Sequence, residues 1–328
     1  IEDYVPNVVP RYSDQQFKGN FRMHRNTFEL NHVVYCKQRV VSGRTSRIPV
    51  ATKILMTLWL LGSQESFRGV ADRFGVNKGV LSYVAKQIIA TWADAAANFI
   101  QWPAQPWDVS FESARKWGFP DVVGAVIGCH ISVKAPEEEQ DAYYNGKESH
   151  SIILQGCCGS RMMFTHVHAG SPGRMHDARV FDISGLNKIV DSLPPSLHVL
   201  GDSAYSLRVG LMRPYKNTGH LSEQRMKFNT TLGAARSVIE RAFAQLKGKF
   251  RRIKYLDMKA TETMNKYVVA SCVLHNIILQ VRDSFVIEGG EELEEDDDDP
   301  SFDGGHAQAA DSRASDKQNA IARFLCTR

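Results

Sequence analysis

The fold class is decided by residues 122–134, which read VVGAVIGCHISVK. This run is apolar and rich in β-branched residues, the composition of a buried strand. Residues 151–158 and 162–169 predict a hairpin, and residues 197–201 predict another short buried strand. Residues 231–250 then repeat their apolar side chains with the period of a helix. Strands followed by a long amphipathic helix predict a mixed α/β sheet with flanking helices.

Upstream of this region, residues 66–92 predict two helices joined by a tight turn. Ser66 and Asn77 are suited to cap the two helices, and Gly75 suits the turn between them. The apolar positions that would form the packed side are Val70, Phe74, Val76, Leu81, Val84 and Ile88. This spacing predicts a helix-turn-helix.

The second helix of this unit is a candidate recognition helix. If it enters a DNA groove, the polar side chains Lys78, Ser82 and Lys86 would face the DNA, with Asn77 at the start of the helix. The alternative is a helical pair that contacts only protein. Because the helix carries few basic residues, the sequence leaves both readings open.

The charge of the chain is divided unevenly along its length. The formal net charge is +4, yet the segment 283–303 contains 11 acidic residues and no Lys or Arg. Removing those negative charges leaves +15 on the rest of the chain. A body this basic predicts a polyanionic partner, with nucleic acid first, whereas an even spread of solvated Lys and Arg is the alternative.

These patterns divide the chain into four parts. We predict a flexible N-terminus over residues 1–20, a helical domain with the helix-turn-helix over 21–105, an α/β domain over 106–282 and an acidic, disordered tail over 283–328. The longest apolar run is far shorter than the roughly 20 residues of a membrane span, so no membrane partner is expected. The six cysteines form no C-x-x-C pair, which argues against a zinc site.

Four short blocks in the α/β region occur in an order that resembles a known family. They are GAVIGCHI at 124–131, PGRMHD at 172–177, LGDSAY at 200–205 and RSVIERAF at 236–243. Together they resemble the Harbinger-type (PIF/Harbinger) transposases and the nuclease derived from them, and the resemblance covers roughly residues 20–282. It implies an RNase H-like fold of the DDE type.

The resemblance also implies a catalytic site. In this family three carboxylates hold two divalent ions, Mg²⁺ or Mn²⁺, for attack on a phosphodiester. The matching positions here are Ile127, Asp202 and Glu240, with Asp177 as either a further ligand or a structural hydrogen-bond element. Because an isoleucine cannot bind a metal ion, we expect impaired nuclease activity.

Two other functions remain open at this point. The first is a non-catalytic nuclear DNA-binding or chromatin-associated scaffold that keeps the transposase fold. The second is a protein-interaction module whose acidic tail binds basic partners. Ile127 favours these two, whereas intact Asp202 and Glu240 keep the nuclease alternative.

Basic residues surround the third acidic position and follow it. We predict that they contact DNA phosphates, although the end of a solvated helix also favours cations. They are Arg236, Arg241, Lys247, Lys249, Arg251, Arg252 and Lys254. The last five are named here the basic strip. The resemblance implies a nuclear location, with the cytoplasm as a second possibility, and a separate Myb-like DNA-binding protein as partner.

Overall fold

The computed structural model describes residues 3–30, 48–136, 139–217, 219–281 and 312–327. The acidic segment 283–303 lies outside these residues. The sequence of residues 21–34 predicts a short amphipathic stretch, and its end also lies outside them. Among the described residues, no helix combines the length and the apolar character needed to cross a membrane.

The strands and helices are numbered here in chain order. The strands are β1 (Val122–Val133), β2 (Ser151–Cys158), β3 (Phe164–Pro172), β4 (His198–Leu200), β5 (Leu211–Met212) and β6 (Tyr255–Leu256). The helices are α1 (Tyr4–Asn7), α2 (Asp14–Phe21), α3 (Val50–Gly62), α4 (Phe67–Arg73), α5 (Lys78–Asp94), α6 (Ala96–Phe99), α7 (Pro106–Trp117), α8 (Gln140–Tyr143), α9 (Asp177–Ile183), α10 (Leu186–Asp191), α11 (Glu223–Lys249), α12 (Thr261–Gln280) and α13 (Ser312–Cys326).

The chain forms two compact units whose sequence ranges interleave. Unit 1 comprises residues 1–100, 130–152 and 245–290, and unit 2 comprises 101–129, 153–244 and 291–328. This differs from the sequential division at residue 105, because β1, β2 and α11 each run from one unit into the other. Sequence patterns locate elements along the chain but do not report which distant segments pack together.

Unit 1 contains the helix-turn-helix. The Ser66 hydroxyl accepts a hydrogen bond from the Gly69 backbone N–H at 3.1 Å, and the Asn77 side chain accepts one from Val80 at 2.8 Å. These are the two caps that the sequence predicts. Gly75 has φ of +64°, a conformation that favours glycine, so the turn between α4 and α5 depends on it. Helix α5 packs against α3, α4 and α12.

Unit 2 is built around the sheet, whose strand order is β3-β2-β1-β4-β5, while β6 pairs with the far end of β1. Strands β1 and β4 are neighbours and run parallel, and β4 and β5 are also parallel. One sheet face packs against α9 and α10 in a core of Val126, Cys157, Phe181, Leu186, Val190, Val199, Tyr205 and Leu211. The predicted RNase H-like mixed sheet with flanking helices is confirmed.

Both ends of the chain differ from the prediction. Residues 1–20 are expected to be flexible, but α1 and α2 form over Tyr4–Asn7 and Asp14–Phe21, with Tyr4, Val9, Phe17 and Phe21 buried. Near the other end, α13 packs in unit 2 through four buried apolar side chains. Its Lys317 ammonium donates to the backbone carbonyls of Leu197 at 3.0 Å and Val209 at 2.7 Å. Each segment is short and mixed in composition, so the packing that orders it is not visible in its own sequence.

Candidate active site and basic surfaces

The first acidic position of the resemblance lies on β1, and the second lies just after the end of the neighbouring strand β4. Ala125 of β1 is the register partner of Leu200, the last residue of β4. Extending this parallel register by two residues brings Ile127 level with Asp202. Parallel strands lie about 4.8 Å apart, and residues two apart on a strand share a face. The side chain of residue 127 is therefore next to the end of β4 from which Asp202 projects.

The face of the sheet toward which Ile127 points can be identified from its neighbours. Val126 lies in the core that packs against α9 and α10, so Ile127 points to the opposite face. On that face the Phe243 ring of α11 packs against Gly156 of β2, within 2.9 Å of where a β-carbon would be. Glu240 lies one helical turn before Phe243 on α11. The side chain of residue 127 and the helix that carries Glu240 therefore lie on the same face of the sheet, next to the end of β4.

Asp177 approaches β1 from the other face. One of its carboxylate oxygens accepts a hydrogen bond from the Gly128 backbone N–H at 3.2 Å. A β-carbon at residue 128 would lie 2.2 Å from the other oxygen, so any larger residue than glycine would displace the carboxylate. Because residues 127 and 128 point to opposite faces, this geometry supports the structural alternative for Asp177 over the metal-ligand alternative.

Asp202 begins a turn directly after β4. One carboxylate oxygen accepts a hydrogen bond from the Ala204 backbone N–H at 3.0 Å. Tyr205, fully buried beside it, accepts a hydrogen bond from the Gln155 amide at 3.2 Å. Burial raises the pKa of Tyr205 well above its usual value, and the charges of Asp177 and Asp202 raise it further. This turn therefore holds Asp202 against the core of unit 2.

The donor set does not fit a two-metal site. Glu240 forms an ion pair with Arg236 at 3.0 Å, one turn earlier on α11. The position level with Asp202 is a half-buried isoleucine, which offers no lone pair and no negative charge. Within the described ranges, no group of three or more His, Cys, Asp or Glu side chains is arranged to hold a metal ion. DDE endonucleases generally use divalent metals, and the described residues of this chain do not assemble the carboxylate set that would hold two of them.

The class of protein follows from the sheet, the positions of Asp202 and Glu240 and a direct family match. Residues 126–276 match the family described as DDE superfamily endonuclease. The matched range begins next to Ile127 and ends within α12, so it contains all three acidic positions. No solved structure matches the chain.

Curated relatives narrow the class to a family. The chain is 27% identical over 305 residues to the antagonist of like heterochromatin protein 1 of Arabidopsis thaliana, covering 84% of this chain and 76% of the relative. It is 28% identical over 248 residues to HARBI1 of Homo sapiens, covering 72% and 69%. It is 26% identical to the ALP1-like protein of Arabidopsis thaliana, covering 70% of this chain and 61% of that protein, under two thirds of its length. The family match and these relatives support the Harbinger-derived family of DDE nucleases that the sequence blocks resemble.

The basic strip is largely internal, which corrects part of the predicted phosphate surface. Lys249 is fully buried and Arg252 is only 6% exposed. The Arg252 guanidinium donates to the backbone carbonyls of Leu60, at 3.1 Å, and Glu65, so it binds the end of α3. The Lys247 ammonium donates to the His130 carbonyl at 2.9 Å. Lys249 and Arg252 are therefore too deeply buried to face DNA, and the half-buried Lys247 is already bound to a backbone carbonyl.

The accessible cations are fewer than predicted. Arg251 is exposed and Lys254 is half-buried at the end of the basic strip. On α11, Arg241 is exposed, whereas Arg236 is half-buried and engaged with Glu240. The sequence could not separate these groups, because charge composition does not report which side chains lie beneath another helix.

The helix-turn-helix presents a more complete polar surface. Lys78 and Lys86 are exposed and Ser82 is half-buried on the same side of α5, with Asn77 at its start. Sequence reasoning missed Tyr83, which is 59% exposed on this side. An aromatic residue is usually assigned to a core, and only the helical period, which separates Tyr83 from the apolar stripe, could have revealed it.

Proposed function

We propose that this chain binds duplex DNA and has lost metal-dependent cleavage of it. The observation that carries the proposal is Ile127, an apolar side chain in the position level with Asp202 on the face of the sheet that α11 covers. In the family mechanism the first carboxylate bridges two cations. Without it, two carboxylates remain to offset the charge of two divalent ions, and one of them already pairs with Arg236.

DNA binding rests on a different part of the molecule. The exposed side of α5 carries Lys78 and Lys86, and the buried side packs within unit 1. A helix after a tight turn with a free polar side is suited to the major groove. The net charge of +15 outside the acidic segment supports a polyanionic partner. We also propose a nuclear location, as the family resemblance implies, and a Myb-like protein as partner.

A chromatin-associated scaffold is the second candidate function. One observation favours it: the relative that aligns with 84% of this chain is named as an antagonist of like heterochromatin protein 1. In such a role the transposase fold would serve as a protein-binding surface, and DNA binding would be dispensable.

The first experiment measures DNA binding without metal. Fluorescence anisotropy of a labelled duplex in EDTA should show binding by the full chain. Replacing Lys78 and Lys86 by alanine should weaken it, because each phosphate contact contributes roughly eightfold at 0.1 M salt if the slope is about −0.9 per contact. The matched control removes the same charge at the exposed Lys216 and Lys227 of unit 2. Absence of binding by the unmodified chain would leave the scaffold as the better account.

The second experiment measures cleavage. Incubation of supercoiled plasmid with the chain and Mn²⁺ or Mg²⁺ should produce no nicking above the buffer control. The proposal is wrong if the unmodified chain nicks plasmid and Asp202→Asn abolishes the activity. That result would mean that an isoleucine at position 127 is compatible with catalysis.

A further inference from the structure

One side of α5 is buried in unit 1, and the opposite side is exposed. The buried side consists of Leu81, Val84, Ala85, Ile88, Ile89 and Trp92, and it packs within unit 1 against α3 and α12. With six apolar side chains fixed in this way, α5 cannot rotate about its axis without exposing them to water. The opposite side is therefore a permanent surface of unit 1.

That surface contains two polar side chains, Tyr83 and Gln87, that are joined by a hydrogen bond close to Lys86. The Gln87 amide nitrogen donates a hydrogen bond to the Tyr83 hydroxyl at 2.8 Å, one helical turn apart. Tyr83 is 59% exposed although its ring is large and mostly apolar. The bond limits the rotamers of a half-exposed glutamine, which would otherwise sample several. It therefore holds the amide in one place on the helix surface.

We infer that Gln87 recognises a single adenine in the major groove and that Tyr83 is the residue that positions it. This inference rests on the proposed DNA binding by α5. A glutamine amide carries two N–H donors and one acceptor oxygen. One N–H is committed to Tyr83, so the second N–H and the oxygen remain for a base. Those two groups match the N7 acceptor and the N6 amino donor of adenine, the bidentate contact that glutamine makes with this base.

The same geometry disfavours the other purine. Guanine presents two acceptors, N7 and O6, in the major groove, so its O6 would face the oxygen of the Gln87 amide. Lys78, near the start of α5, and Lys86, next to Gln87 in the chain, are exposed and are suited to phosphates rather than to base discrimination. Recognition at this depth along a helix is feasible, since residues well inside the recognition helix of homeodomains also contact bases.

The test is selection of binding sites from a randomised duplex library by the full chain in EDTA, followed by affinity measurements on the selected site. The unmodified chain should select adenine at one position, and changing that base should weaken binding about tenfold or more. Gln87→Ala should remove this preference at that position alone. Gln87→Glu should move the preference toward cytosine, because a carboxylate accepts a hydrogen bond from the cytosine amino group.

The variant Tyr83→Phe tests whether Tyr83 positions the Gln87 amide or contacts the DNA itself. It keeps the ring and removes the hydroxyl, so the preference for adenine should fall at the same position while total affinity changes less than threefold. The matched control is Gln140→Ala, an exposed glutamine elsewhere in unit 1, which should leave every preference unchanged.

The outcomes distinguish the two proposals. Failure of the unmodified chain to bind any duplex overturns the proposed function and this inference together. Binding with the same base preferences in the unmodified chain and in Gln87→Ala overturns this inference alone. A guanine preference that depends on Gln87 also overturns it.

Discussion

The candidate active site of unit 2 and the exposed side of α5 in unit 1 respond differently to the loss of one side chain. The active site of a DDE nuclease requires three carboxylates to act together on two metal ions, so replacing one of them can remove most of the activity. Phosphate contacts from a helix surface contribute one at a time, so losing one lysine weakens binding without abolishing it. A chain that is no longer selected for cleavage can therefore lose catalysis by a single substitution and retain DNA binding.

The surroundings of Ile127 fit this difference. Asp202 still begins its turn, Glu240 still lies on α11 and the core beneath them is closely packed. Unit 2 therefore keeps the turn and the helix that carry the second and third acidic positions, and Ile127 is the position among the three that has no ligand atom.

Restoring the missing carboxylate should produce the largest effect. Ile127→Asp should raise Mn²⁺-dependent plasmid nicking at least a hundredfold, which corresponds to about 2.7 kcal/mol of transition-state stabilisation. Adding Asp202→Asn or Glu240→Gln to this variant should abolish the gain, since each removes a charged ligand with little change of shape. A stable Ile127→Asp protein without activity would show that the site has other defects. The loss of catalysis would then depend on more than one residue.

The basic strip contains a buried and an exposed arginine side by side, so it tests which cations are structural. Arg252→Ala leaves the carbonyls of Leu60 and Glu65 without their donor and should cost roughly 1–3 kcal/mol of unfolding free energy. Arg251→Ala should change stability by less than about 0.5 kcal/mol. Thermal unfolding of both variants is the measurement. Equal melting temperatures would contradict the structural role of Arg252.

Much of the fold could be predicted because its signals are local. Strands β1 and β2 and the caps at Ser66 and Asn77 each depend on residues within one turn or one strand. The sequence predicts a helix only from residue 231, eight residues after α11 begins at Glu223, because the added turns are mostly polar and exposed and Phe228 is their one buried apolar side chain. Tyr4 and α13 are packed against residues that are distant in the sequence, and no local pattern reports such contacts.

The sequence could predict which residues form the candidate site, but not which side chains and backbone groups they contact. The family blocks gave Asp202, Glu240 and the exceptional Ile127, and the register of β1 and β4 supports their grouping. The contact of Asp177 with Gly128 requires knowing which sheet face each residue occupies. The burial of Lys249 and Arg252 depends on three-dimensional packing, so sequence analysis counted them as surface charges.

A buried histidine allows the stability of unit 2 to be tested separately from its chemistry. Burial, and then the charge of Lys317, lower the pKa of His198 to about 3 from an ordinary 6.5. Between these values the unfolded chain binds a proton that the folded chain does not, so the stability contributed by neutral His198 is lost as pH falls from about 6.5 toward 3. The slope should reach about 1.4 kcal/mol per pH unit.

His198→Gln should reduce this slope relative to the unmodified chain, whereas His220→Gln, at an exposed position, should not. The measurement is the unfolding free energy across the pH range for all three proteins. Identical slopes would mean that His198 is not buried and neutral, and would weaken the view that unit 2 has kept its core intact.

The salt dependence of DNA binding gives the smallest effect and separates the two basic surfaces. If all five residues of the basic strip contacted phosphates, they would contribute about −4.5 to the slope of log K against log salt. With Lys249 and Arg252 buried and Lys247 bound to a carbonyl, only Arg251 and Lys254 remain, for about −1.8. Replacing these two by alanine should therefore flatten the slope by no more than about 1.8, and replacing Lys78 and Lys86 should flatten it by a similar amount. Titrations from 50 to 200 mM salt in EDTA measure both. If only the replacement of Lys78 and Lys86 changes the slope, DNA binds to the helix-turn-helix alone. If neither replacement changes it, the phosphates are contacted elsewhere, and the exposed Arg241 on α11 is the next residue to replace. An effect of Arg241 would place DNA binding on unit 2, so the two regions would no longer have separate functions.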